Sequence, residues 1–201
     1  MKTVLRWGLF LLLPALLIVE PALAYDYPLS SEAIREAYFL GSGDPNKRFD
    51  FFAKYTKTYP IPKSGQYVGS IEFETPYVVI AERVSQSVPN YFAQDAEKEY
   101  LGKPVVCRVR VEVYYGWPAG QFGRFQSNYT VRLKQQDKEI PVKSRWSEAI
   151  LSNVSAPADV GVQLTNEYDA DNIDSSSSAN VEVLTPDGNT LVETFDLGSF
   201  R

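Results

Sequence analysis

The chain has 201 residues, 25 acidic against 20 basic side chains, one cysteine and no histidine. A net charge of -5 argues against a nucleic-acid partner, because binders of nucleic acid present basic surfaces. The missing histidine removes Ser-His-Asp and Cys-His nucleophiles and nearly all zinc chemistry, so no cofactor and no metal centre is expected.

Residues 1–24 read as a secretory signal peptide. Lys2 and Arg6 precede an apolar run from Gly8 to Val19, and "ALA" at Ala22 to Ala24 offers the small residues that a signal peptidase probes. The run is too short to span ~30 Å of hydrocarbon, so no stable membrane insertion is expected once the leader is removed. No cysteine follows it directly, so a lipid tether through Cys107 is excluded by position. The expectation is an exported protein, periplasmic or secreted. Residues 25–201 are enough for one domain that buries ~70% of its unfolded surface.

The first elements are helical, over a segment 29–58. Ser30 or Ser31 can cap a helix in "LSSEAIREAYFLG", with Leu29 and Ile34 at staple spacing, Ala37 and Tyr38 beside Ile34, and Gly41 placed to end it. Asp44 and Pro45 open a second helix, with Phe49, Phe52, Ala53 and Thr56 at helical spacing, until "YPIPK" forces extended chain. From Gln66 the period becomes two, so "QYVGSIEFE" predicts a strand with Ile71 and Phe73 on one face and Glu72 and Glu74 on the other. The continuous apolar run "PYVVIAERV" predicts a strand covered on both sides. A third helix is expected in "SVPNYFAQDAEKEYLGKP", capped by Ser87 and ended by Gly102.

Strict alternation in "VCRVRVEVYY" puts Cys107, Val109, Val111 and Val113 on an apolar face and Arg108, Arg110 and Glu112 on a polar one. "NYTVRLKQQDKEIPVKSRW" predicts a hairpin turning near Asp137. Further strands are expected in "VGVQLTNEY", "ANVEVLT" and "TLVETFDL", the last two joined through the turn "PDGN". "DADNIDSSSS" reads as a mobile acidic, serine-rich loop. These elements predict a mainly β fold: an antiparallel β-sandwich, immunoglobulin-like or jelly-roll-like, of seven to nine strands with two N-terminal helices and one inserted helix.

Two stretches carry resemblances. "VEVLTPDGNTLVETFDL" is similar to the last hairpin of many immunoglobulin-like exported domains. "ALAYDYPLSSEAIREAYFLG" resembles the start of an uncharacterised group of exported proteins of environmental bacteria, which implies an envelope location and no particular activity.

Candidate sites are few. Cys107 reads as a small core hydrophobe, with a dimer bridge or catalysis as alternatives. Arg108 and Arg110 are expected to lie beside Arg132 and Lys134, as a basic stripe for an acidic ligand or as a solvated face paired with Glu112 or Glu72. The loop "GWPAGQFGRF" offers Trp117, Phe122, Arg124 and Phe125 either for stacking on a ligand or as a plug over the end of the sandwich. "VEVYYGW" is similar to strands of small jelly-roll glycosidases, which would make Glu112 half of a catalytic pair with Glu72, Glu74 or Glu193. Asp169, Asp171 and Asp174 hint at calcium, yet Ile173 and Asn180 break the EF-hand pattern, leaving only an irregular site. The reading that results is a non-enzymatic binding or scaffolding module of the cell envelope, partnered by an envelope protein or a glycan. A glycan-binding module that stacks aromatics and a carboxylate-based glycoside hydrolase are the alternatives.

Overall fold

A computed structural model describes residues 27–87, 90–116, 128–152 and 159–200. Nine strands among them form two antiparallel sheets that pack as a β-sandwich. One sheet has the order β1 (Thr56–Thr58), β2 (Tyr67–Glu74), β3 (Val106–Tyr114), β7 (Asp159–Asp169), β6 (Ser144–Leu151). The other runs β5 (Lys138–Ile140), β4 (Thr130–Gln135), β8 (Ser178–Leu184), β9 (Thr190–Asp196).

Period-two patterning builds the space between the sheets. Ile71, Phe73, Cys107, Val109, Val111 and Val113 from the first sheet meet Val131, Leu133, Val181, Val183 and Phe195 from the second. Cys107 is fully buried in this layer, as its alternation requires. The β4–β5 turn has positive φ at both Gln136 and Asp137, the mirror-image geometry that matches strand twist in a two-residue hairpin.

Four α-helices among the described residues form a third layer: α1 (Ser31–Ser42), α2 (Pro45–Phe52), α3 (Pro76–Ser85) and α4 (Ala93–Tyr100). α1, α3 and α4 bury a second apolar cluster of their own, including Ile34, Ala37, Tyr77, Ile80, Ala81, Val84 and Ala96. Ser30 caps α1, its hydroxyl accepting from the Ala33 amide at 3.1 Å. Gly41 does not end this helix. It lies inside it, where an added Cβ would stand 2.2 Å from the Ala81 carbonyl oxygen of α3. Asp44 caps α2 as expected, but the helix tightens into a 3₁₀ turn at Ala53–Tyr55 and Thr56 begins β1. Phe49 consequently faces solvent, while Phe51 and Phe52 pack inward.

The largest departure from expectation is "PYVVIAERV", which is helix α3 and not a strand. Thr75 caps it, Pro76 occupies its first turn, and Tyr77, Ile80, Ala81 and Val84 follow helical spacing. Its first six residues are all apolar because Val78 joins the sandwich core while Tyr77, Ile80 and Ala81 pack in the helical cluster; Glu82 and Arg83 follow as its polar pair. The helix expected from Ser87 starts later, at Ala93, where the Asp95 carboxylate accepts from the Phe92 amide at 3.0 Å.

The acidic serine-rich segment is also more ordered than its composition suggests. It holds a 3₁₀ turn at Ala170–Asn172, and the buried Gln135 amide donates to Asp174 O at 2.8 Å and accepts from Asp174 N at 2.8 Å. Among the described residues no helix is long and apolar enough to cross a membrane.

Candidate functional site

The outward residues of the five-stranded sheet stand in three cross-strand rows. The first row reads Glu74, Arg108, Glu167, Ser144; the second Glu72, Arg110, Thr165, Trp146; the third Ser70, Glu112, Gln163, Glu148. Alternation along β3 alone fixes which of its side chains face this way. The helical layer covers part of the surface and leaves a groove of about 600 Å³ between it and the sheet. Val79, Glu82, Arg83 and Gln86, one face of α3 and its end, form one wall with Glu99 and Tyr100 of α4. Arg108, Arg110, Gln163 and Thr165 lie along the floor, and Trp146 and Glu148 of β6 make the far rim.

An ionic network occupies the floor. Arg108 donates to Glu74 at 3.1 Å, to Glu82 at 2.9 Å and to Glu167 at 3.3 Å. Arg110 pairs with Glu74 at 2.9 Å, lies 3.8 Å from Glu72, and donates through Nη2 to Glu82. Glu74 keeps only 1% of its exposure. Burial drives the Glu72 and Glu74 carboxyls well above the usual carboxylate range; their acidic neighbours add to the rise, and the two guanidiniums oppose it. The Arg108 guanidinium lies 5.8 Å from the Trp146 ring centre, and among the described residues its buried Nε has no hydrogen-bond partner.

The two halves of the expected basic stripe are far apart in the topology. Arg108 and Arg110 face outward from one sheet, Arg132 and Lys134 from the other, because the chain changes sheets between β3 and β4. Lys134 pairs with Glu182 at 2.9 Å, and Arg132 lies 4.0 Å from Glu139. Of the expected partners, Glu72 is the direct cross-strand neighbour of Arg110. Glu112 instead accepts from Ser70 Oγ at 3.0 Å and Tyr114 OH at 3.1 Å. Glu193 belongs to the other sheet, where it accepts from Tyr59 OH at 2.9 Å. Trp117, Phe122, Arg124 and Phe125 lie outside the described residues.

The calcium-like aspartates are otherwise engaged. Lys143 donates to Asp169 at 2.6 Å, Tyr27 bonds to Asp171, and Asp174 accepts from the Ser176 amide at 3.0 Å. Among the described residues there is no group of three acidic, Cys or His side chains able to hold a metal ion.

Trp146 and Glu82 were the residues hardest to find by sequence. Trp146 sits in a strand, β6, that reads like the tail of the preceding hairpin; Glu82 sits in a helix that reads like a strand. No family model matches the chain, and no curated protein matches its sequence.

Proposed function

We propose that this is an exported, non-enzymatic binding module of the cell envelope, and that the groove between the helical layer and the five-stranded sheet takes a glycan. The observation that carries the reading is the lining. Trp146 is 39% exposed at the rim, and Arg83, Gln86, Gln163 and Glu148 line the same groove. An aromatic face suits the C–H surface of a sugar ring, while amides and charges serve its hydroxyls. The floor supports binding over turnover, because its guanidiniums are already committed to Glu74, Glu82 and Glu167. A glycosidase built on Glu112 is disfavoured: that carboxyl is engaged by Ser70 and Tyr114 and does not line the groove.

The test is calorimetry and thermal shift against a panel of soluble envelope and extracellular polysaccharides. Binding by the parent, weakened at least about tenfold in Trp146→Ala with its fold retained, is the expected result. A flat response across the panel, or undiminished binding by Trp146→Ala, would overturn the assignment.

A further inference from the structure

The groove lies between two separately packed bodies of side chains. The sandwich core and the helical cluster are distinct, with Phe51 and Phe52 partly buried against both and Val78 of α3 reaching from the helical layer into the sandwich core. On the groove side the connection is polar. Glu82 of α3 reaches down to the floor, where one oxygen accepts from Arg108 at 2.9 Å and from Arg110. Beneath it, Glu74 takes the same two guanidiniums at 3.1 and 2.9 Å. Glu72 approaches Arg110 from the next position along β2.

Several carboxyl groups therefore gather around two cations on the groove floor, with Glu74 fully buried and Glu72, Glu82 and Glu167 partly exposed. β2 contributes Glu72 and Glu74, β7 contributes Glu167, and β3 contributes Glu112 beside its two arginines. From the helical side α3 brings Glu82 and Arg83, and α4 brings Glu99 and Tyr100. Glu148 stands on the β6 rim. Glu82 is a like-charge neighbour of both Glu72 and Glu74. Any negative charge gained by that pair acts on Glu82 twice, by direct repulsion and by drawing on the guanidiniums that hold it.

We propose that Glu82 is a pH-set clasp on the groove: with Glu72 and Glu74 protonated, Arg108 and Arg110 grip Glu82 and hold α3 close, and ionisation of the pair loosens the grip and widens the groove. The raised proton affinity of both carboxyls puts this change above the ordinary carboxylate range and so within reach of environmental pH. The clasp rests on the reading of the groove as the ligand site only for its biological use. The motion itself needs no ligand.

Spin labels at Ser87→Cys, two residues past the end of α3, and at the exposed Ser147→Cys on β6, whose side chain faces away from the groove, report the separation of the two groove walls by pulsed electron paramagnetic resonance. Cys107, fully buried, stays in place. The expected result is a label separation that grows by about 1–2 Å, the size of a helix shift, between acidic and mildly alkaline pH. Glu82→Gln should hold the long separation at every pH, and Glu72→Gln with Glu74→Gln should hold the short one. If the double variant does not fold, Glu72→Gln alone must move the midpoint of the transition. A pH-independent separation in the folded parent, an unmoved midpoint in Glu72→Gln, or a parent-like response in Glu82→Gln overturns the clasp. Because no ligand is present, a failed glycan screen leaves this result intact, and glycan binding without any change in separation keeps the site while removing the clasp.

Discussion

Glu74 and Arg108 face each other directly across β2 and β3, and the arginine donates to the carboxylate at 3.1 Å while Glu74 retains 1% of its exposure. A carboxylate this deep depends on its donors. At a pH above the raised titration of Glu74, where the carboxyl is ionised, Arg108→Ala should cost about 3–5 kcal/mol, toward the lower end because Arg110 still reaches Glu74 at 2.9 Å. Replacing both members, by Arg108→Met with Glu74→Leu, should cost clearly less than the two single changes summed. A double-mutant cycle by urea unfolding reads this, and additivity would refute the coupling.

Stability should fall as pH rises from the usual carboxylate range near 4.5 toward the raised folded values of Glu72 and Glu74. The folded chain holds these protons more tightly than the unfolded chain, so rising pH strips them at the expense of the fold. Asp174 and Asp187 act oppositely: hydrogen bonds from Ser176 and Thr185 lower their carboxyls, and that contribution is lost in acid. Urea midpoints across pH should therefore peak in mild acid, and Glu74→Gln should flatten the alkaline side. An unchanged slope in that variant would assign the effect elsewhere.

Gly41→Ala should destabilise the protein by about 1–3 kcal/mol, since the new Cβ meets the Ala81 carbonyl oxygen and Val84 Cβ at 2.2 and 2.8 Å. Backbone and a buried β-branched residue cannot swing aside as a flexible side chain would. Gly43→Ala at the end of the same helix is the informative comparison for the thermal midpoint. Its Cβ would meet only the Phe39 carbonyl oxygen closely, at 2.7 Å, outside the α1–α3 contact.

Gln135→Ala should release the segment around Asp174 and cost about 1–2 kcal/mol by removing two hydrogen bonds between the buried Gln135 amide and the Asp174 backbone. Limited proteolysis should then cut between Asp171 and Ser178 in the variant before the parent. Equal protection in both would mean that the segment is held by other contacts.

The strand faces were legible because alternation is local: Cys107 inward and Arg108 outward follow from nine residues of sequence. The identity of α3 was obscured by its double burial, which makes its first six residues apolar and confines its polar groove face to Glu82, Arg83 and the capping Gln86 at the C-terminal end. Two signals were nevertheless present, a capping Thr75 followed by Pro76 and the spacing of Tyr77, Ile80, Ala81 and Val84. The groove was illegible for the same reason, since one of its walls is that helix. Which sheet each arginine joins depends on where the chain crosses over, and no short window of sequence contains that information.

The four outer strands of the two sheets show how this fold avoids polymerising. β1 and β5 span three residues each and are followed closely by Pro60 and Pro141, leaving little edge to extend. β6 is longer but carries Arg145 and Glu148 and an irregular register at Ile150 and Leu151. On β9, Glu193 stands opposite Val181, pointing toward the core side of an edge strand where the Tyr59 hydroxyl donates to it. A second molecule docking along β9 would have to bury that carboxylate against its own apolar row. An acid among the otherwise apolar inward residues of β9, Leu191 and Phe195, thus opposes edge-to-edge pairing.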